Sequence, residues 1–225
     1  MSMVNLAEQQ RLFSLIGKSC SRRIEVLAIG GSAMLFYNFS KTETKDMDIV
    51  CLSEKDRKYL LDVLYKIYFR KDIEPKQAGA PYRLILEERY ILDIFAGSIF
   101  HIKISESILG RIKEKVDFGN LTISVIAPED IILTKCVTER KGDREDAMGI
   151  INEYNVKWDL VIQEAQWQTE KGDKTFTVYL FDFLEDLWEM GAKVPKEVIR
   201  KVRKLSQEEM LKVLKSGRGN LRIKE

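Results

Sequence analysis

The sequence predicts an α/β chain of the α+β kind, with a small sheet flanked by helices and then an all-helical C-terminal region. Three observations predict it. A β-rich run ending at Ile29 passes through Gly30-Gly31-Ser32 into an apolar helical pattern, and a second β-rich run carries Asp46-Met47-Asp48-Ile49. Two runs, Tyr82 to Glu87 and Arg89 to Phe95, meet at Glu87-Glu88 and read as a hairpin. Beyond Asn155 the strand signals stop and only helical patterns remain.

The elements follow in order. Leu6, Leu12, Phe13, Leu15 and Ile16 have helical spacing over residues 4 to 17, with Gly17 as the stop. Ile24 to Ile29 is short, apolar and β-branched, as a buried strand is. The helix after Gly31 carries Met34, Leu35, Phe36 and Phe39, and Met47 to Leu52 is the next strand. Ser53 suits the N-cap of a helix from Glu54 to Phe69, striped by Leu60, Val63, Leu64, Ile67 and Tyr68. A loop from Pro75 to Pro81 precedes the hairpin. Ser105 to Lys115 reads as helix and Leu121 to Ile126 as strand.

Pro128 with Glu129 and Asp130 opens a helix through Val137, since proline fits a first helical position and acids favour the first turn. Asp143 caps a helix reaching Glu153. Trp158 to Trp167 and Thr175 to Met190 are helical, the latter closed by Gly191. Pro195 starts another helix, and Ser206 with Glu209 forms a capping box for a last one. The chain thus divides into residues 1–154 and a helical domain at 155–225.

Composition narrows the function classes. Lys plus Arg (37) nearly balances Asp plus Glu (35), so the net charge of +2 predicts no polyanion partner by itself. The distribution is uneven: from Lys193 onward there are eleven basic and four acidic residues. That basic region either faces nucleic acid or is a solvated helix surface. Cys20, Cys51 and Cys136 are scattered, and His101 is the single histidine. The pattern argues for reduced thiols in a cytoplasmic protein, and against a zinc site, a disulfide framework or a histidine triad. The first residues lack the apolar core of a signal peptide, and no run of about eighteen apolar residues exists.

The chemistry concentrates in two stretches. A glycine turn opening a helix presents free backbone N–H groups and the positive end of the helix dipole, a site for phosphate, so Gly30, Gly31 and Ser32 are candidate nucleotide-binding residues. Asp46 and Asp48, two apart on a strand, point to one face and can share metal ions. Together they suggest a nucleoside triphosphate bound with magnesium. Asp93 lies among isoleucines and leucine in a buried-looking strand, where an unpaired charge loses several kcal/mol of hydration; it is the candidate third carboxylate. Two such charges about 5 Å apart repel by roughly 3 kcal/mol at an effective dielectric of 20, so the cluster needs cations. Those cations are either metal ions or the side chains of Lys41 and Lys45, in which case the cluster is a structural ion network.

Gly31-Ser32, thirteen intervening residues, Asp46-Met47-Asp48-Ile49 and a distal Asp93 resemble the DNA polymerase beta-like nucleotidyltransferase superfamily. From Pro128 to Asp146, with Lys135, Arg140 and Asp143, the chain looks like abortive-infection toxin-like and related prokaryotic members, departing at Gly142, where relatives carry a basic residue. The resemblance implies a small mixed-sheet nucleotidyltransferase domain that moves a nucleoside monophosphate from an NTP to an acceptor, releasing pyrophosphate. It implies that Gly31 and Ser32 hold the β- and γ-phosphates, with Gly30, Lys45 and Lys135 as further nucleotide-binding candidates. It also implies that Asp46 and Asp48 ligate two magnesium ions and that Asp93 completes the catalytic metal site. Lys135 either neutralises triphosphate charge or lines the helix surface, and Asp143 and Asp146 either serve the site or cap a helix. RNA such as tRNA, a protein and a small molecule are the open acceptors. The competing reading is a non-catalytic nucleotide-binding module of a toxin–antitoxin system.

Overall fold

The computed structural model describes residues 2–37, 39, 41–68, 72–73 and 79–215. The end of the expected helix at Phe69, most of the Pro75 to Pro81 loop and the last ten residues of the basic region lie outside the described residues.

In chain order, the elements begin with β1 (Val4–Asn5), α1 (Leu6–Ser19), β2 (Ile24–Ala28), α2 (Gly30–Tyr37), β3 (Glu43–Thr44), β4 (Asp46–Cys51) and α3 (Glu54–Ile67). They continue with β5 (Asp72–Ile73), β6 (Tyr82–Leu86), β7 (Tyr90–Ala96), β8 (Ser98–Ile99), β9 (Ile102–Lys103), α4 (Glu106–Arg111), β10 (Glu114–Phe118), β11 (Leu121–Val125) and α5 (Pro128–Cys136). The rest is helical: α6 (Lys141–Glu153), α7 (Trp158–Lys171), α8 (Phe176–Glu189) and α9 (Lys196–Lys215). The chain forms two compact units, Met1–Lys135 and Cys136–Glu225.

The first unit is built on a mixed sheet in the order β10-β11-β2-β4-β7-β6-β5. β11 runs parallel to β2 and β4 parallel to β7, while β10/β11, β2/β4, β6/β7 and β5/β6 are antiparallel. Because side chains alternate along a strand, Met47, Ile49, Tyr90, Leu92 and Ile94 fall on one face and are buried. Helix α1 lies on that face, where the Tyr90 hydroxyl donates to the Glu8 carboxylate. Asn5 and Glu8 form a reciprocal capping box at its start. The opposite face carries Asp46, Asp48 and Asp93.

Gly17 is not a stop. Helix α1 runs two residues past it, and a Cβ at Gly17 would overlap the backbone carbonyl of Phe118, so the glycine permits helix and hairpin to touch. Likewise the helix expected over Ser105 to Lys115 ends at Arg111, and Glu114–Phe118 is strand β10. There Val116 and Phe118 alternate with charged residues, and Gly119-Asn120 form the two-residue turn that pairs Phe118 with Leu121.

In the second unit, Phe176, Leu180, Phe183, Leu184 and Leu187 of α8 are fully buried, each contributing about 1.5–3 kcal/mol. Arg144 of α6 reaches Asp186 of α8 through Nε and Nη2 at 2.7 and 2.6 Å. Helix α6 is thus tied to α8, and the two compact units meet between Lys135 and Cys136. Asp143 sits in the first turn of α6, not at its cap, and accepts from Thr138 and Arg140. Helix α9 is continuous; Ser206 lies inside it and donates to the carbonyl of Arg203 at 2.9 Å instead of capping a new helix. No helix among the described residues is long and apolar enough to cross a membrane.

Candidate functional site

The site is assembled at the C-terminal end of β2, where the chain turns into α2. Gly30 has φ +51°, a left-handed conformation natural to glycine, and a Cβ there would stand 3.1 Å from Asp48 Oδ2. A Cβ on Gly31 would overlap Thr44 Oγ1 and come within 3.3 Å of Lys41 Cε. The two glycines thus let the turn pack directly against Thr44 and Asp48, an approach that a side chain at either position would block. Hydrogen bonds lock the turn onto β4: the Asp48 N–H donates to Ser32 Oγ at 2.9 Å, and the Ile29 N–H donates to the Asp48 carbonyl at 3.1 Å. Thr44 Oγ1 donates to the Asp46 carbonyl at 3.1 Å, fixing the start of β4.

The carboxylates meet by register. β4 and β7 are parallel with Asp48 directly beside Asp93, so Asp46, Asp48 and Asp93 share one face. Asp93 is buried at 5% side-chain exposure, whereas Asp46 keeps 27%.

A fourth charged group joins them. β6 pairs antiparallel with β7 so that Arg83 lies opposite Asp93. Its guanidinium grips Asp93 bidentately, Nε to Oδ1 at 2.7 Å and Nη2 to Oδ2 at 2.6 Å, and Nη2 reaches Asp46 Oδ2 at 3.4 Å. The hydrogen bond to Asp93 raises the Arg83 pKa above its already high value, and the charges of Asp93, Asp46 and Asp48 add to this. Arg83 therefore stays a cation at every working pH.

Two further residues support the turn. Gln9 of α1 is fully buried and donates from Nε2 to the Ser32 carbonyl at 3.2 Å, leaving its Oε1 without a hydrogen-bond partner. The Ile126 N–H donates to the Ala28 carbonyl, which starts α5 beside the end of β2.

The structure thus brings together Gly30, Gly31, Ser32, Asp46, Asp48 and Asp93, and adds Arg83, Thr44 and Gln9. Lys45 is exposed in the bend between β3 and β4. Lys135, 5% exposed, is buried on α5, as are Glu129 and Asp130. Arg111 holds Asp130 bidentately at 3.0 and 2.6 Å.

Oxygen donors of this kind suit a hard divalent cation, and the glycine turn packs directly against Asp48. Both Asp93 oxygens are directed to Arg83, and among the described residues no three acidic, histidine or cysteine side chains are gathered as a metal cluster. The carboxylates of Asp46 and Asp48 are donors of the type magnesium takes, whereas both oxygens of Asp93 are taken by Arg83.

No curated protein matches the sequence. Among solved structures, the chain is similar to JHP933 from Helicobacter pylori, at 15% identity, TM-score 0.45, and 95% and 100% coverage of this chain and that one. It is similar to ANT(2'')-Ia, described as an antibiotic-resistance factor, at 13% identity, TM-score 0.47, and 94% and 98% coverage. An antigenic nucleotidyltransferase-like protein from Paracoccidioides brasiliensis matches at 15% identity, TM-score 0.42, and 80% and 94% coverage. The family match is independent of them. Residues 6–174 match the family described as nucleotidyltransferase of unknown function, DUF6036, and over that span the chain belongs to this transferase family.

Proposed function

We propose that the protein is a magnesium-dependent enzyme that moves a nucleoside monophosphate from an NTP to an acceptor and releases pyrophosphate. The observation that carries the reading is the convergence of Asp46, Asp48 and Asp93 on one sheet face, beside a glycine turn tied to the same strand by the Ser32–Asp48 hydrogen bond. Asp46 and Asp48 would hold the metal, with Asp93 as the third carboxylate. When bound, magnesium supplies charge stabilisation for the attacking and leaving oxygens of the displacement. The N-terminus of α2 would offer N–H groups to the triphosphate oxygens, and Ser32 ties that turn to Asp48. The protein's part is mainly positioning, since phosphoryl transfer needs little covalent help.

For the acceptor, RNA is one class to test through the basic α9. Four of its cations, Lys201, Arg203, Lys204 and Lys212, are already paired to Asp159, Glu185, Glu208 and Glu209, which reduces the charge available to a polyanion. A nucleotide-binding module without turnover, of the toxin–antitoxin kind, is the second reading, and the closed Arg83–Asp93 pair favours it. Incubation with magnesium, labelled NTPs and separate RNA, protein and metabolite pools decides between them. The enzyme reading predicts label transfer with pyrophosphate release; NTP binding without either would favour the module.

A further inference from the structure

The closed pair between Arg83 and Asp93 needs a physical account, because it ties up the carboxylate that the proposed metal site requires. Register alone cannot explain it. Facing positions on β6 and β7 bring the two residues together, but nothing in sheet geometry requires a cation there. The charges do. Three carboxylates on one face, one of them buried, would lose several kcal/mol of hydration and repel one another without a counter-charge. Arg83 supplies that charge in its strongest form, a planar bidentate pair, and extends one nitrogen to Asp46. Its side chain is 39% exposed while that of Asp93 is 5% exposed, so the guanidinium has open space to swing into and the carboxylate does not.

We infer that Arg83 is the internal cation of this face and competes with the divalent metal for Asp93, so that the Arg83–Asp93 pair and full metal ligation exclude one another. Within this quartet Arg83 cancels one of the three carboxylate charges and occupies both oxygens of Asp93. Removing Arg83 leaves the same oxygens with more negative charge and no occupant, so metal binds more tightly while the metal-free protein is less stable. A purely structural ion pair gives the second effect without the first.

The inference rests on the metal site proposed above. The test is titration of the full chain with Mn2+ alone, without nucleotide, by calorimetry, together with apparent Tm with and without the ion. Arg83→Gln is expected to bind Mn2+ roughly tenfold or more tighter than the wild type, with a lower metal-free Tm and a larger metal-induced rise. Arg83→Lys keeps the charge but loses the bidentate grip; it is expected to fall between the two, and it carries the test if the glutamine variant does not fold. Affinity equal to or weaker than wild type in the folded variants overturns the competition while leaving the metal site standing. Absence of Mn2+ binding in wild type and variants, or binding unchanged by Asp48→Asn, overturns the metal site itself.

Discussion

Gly31→Ala tests the packing of the glycine turn on Thr44 directly. The added Cβ would overlap Thr44 Oγ1 and stand 3.0 Å from Thr44 Cβ, and Thr44 is 6% exposed and bonded to the Asp46 carbonyl. Thr44 cannot swing away without giving up that bond. Overpacking of this kind costs about 1–3 kcal/mol, and the lost hydrogen bond about 1 kcal/mol more. Replacing glycine by alanine inside α2 returns up to about 1 kcal/mol of helix propensity, so the steric term wins and a net loss of about 1–3 kcal/mol is expected. At about 2–4 °C per kcal/mol for a chain of this size, apparent Tm falls by roughly 2–12 °C. Because the displaced loop sets the start of β4, nucleotidyl transfer is expected to fall about a hundredfold. Thermal unfolding followed by circular dichroism, with Thr44→Ala and the double variant, completes the cycle. The double variant should lose less than the two singles added together, because Thr44→Ala removes the overlapping oxygen. A Gly31→Ala protein as stable as wild type, or strict additivity in the cycle, would refute that packing.

Two other outcomes follow from the same structure. Gly17→Ala would drive its Cβ into the Phe118 backbone carbonyl, which cannot rotate away; it should destabilise by about 3 kcal/mol or more in urea unfolding, with transfer per folded molecule unchanged. Acid stability has a predictable sign. Glu25 is held below its ordinary value of 4.5 by hydrogen bonds from Lys115 and Ser124, Glu87 by Arg11, and Asp56 by Ser53 and Arg22. A lowered folded-state pKa contributes stability that is complete above the unfolded value and lost as pH falls through the folded one. Apparent Tm should therefore be level from about pH 8 to 6 and decline below about 4.5, and Glu25→Gln should shallow that decline; a protein whose Tm rises below pH 4.5 would contradict these pairings.

Much of the site was legible because its signals are local. A glycine turn before a helix and two aspartates at alternating strand positions need no knowledge of tertiary contacts, and Asp93 drew notice as a charge in an apolar strand. Arg83 was missed although its position could be counted. With the turn at residues 87–89, Leu86 pairs with Tyr90, and stepping back three residues on each strand pairs Arg83 with Asp93. An arginine on a half-exposed strand looks like ordinary surface until the register is worked out. The hydroxyl of Ser32 also accepts from the Asp48 N–H, a contact between α2 and β4 that no local pattern signals.

Other readings failed for reasons of length and burial. The strand at Glu114–Phe118 is short and its alternation was absorbed into the preceding helical pattern. Ser206 with Glu209 matches a capping box, but such a motif ends nothing when Val198, Val202 and Ser206 keep one buried stripe through it. Lys135 lies on a helix whose residues are buried almost all round, a burial that the sequence around the lysine does not signal.

The central claim is that Asp46 and Asp48 sustain metal-dependent nucleotidyl transfer. Its most direct measurement is pyrophosphate release by wild type and Asp48→Ala, with Mg2+, mixed NTPs and an acceptor pool. The account predicts release from the wild type that stops on chelation of the metal and is absent from Asp48→Ala; equal release from both proteins would contradict it.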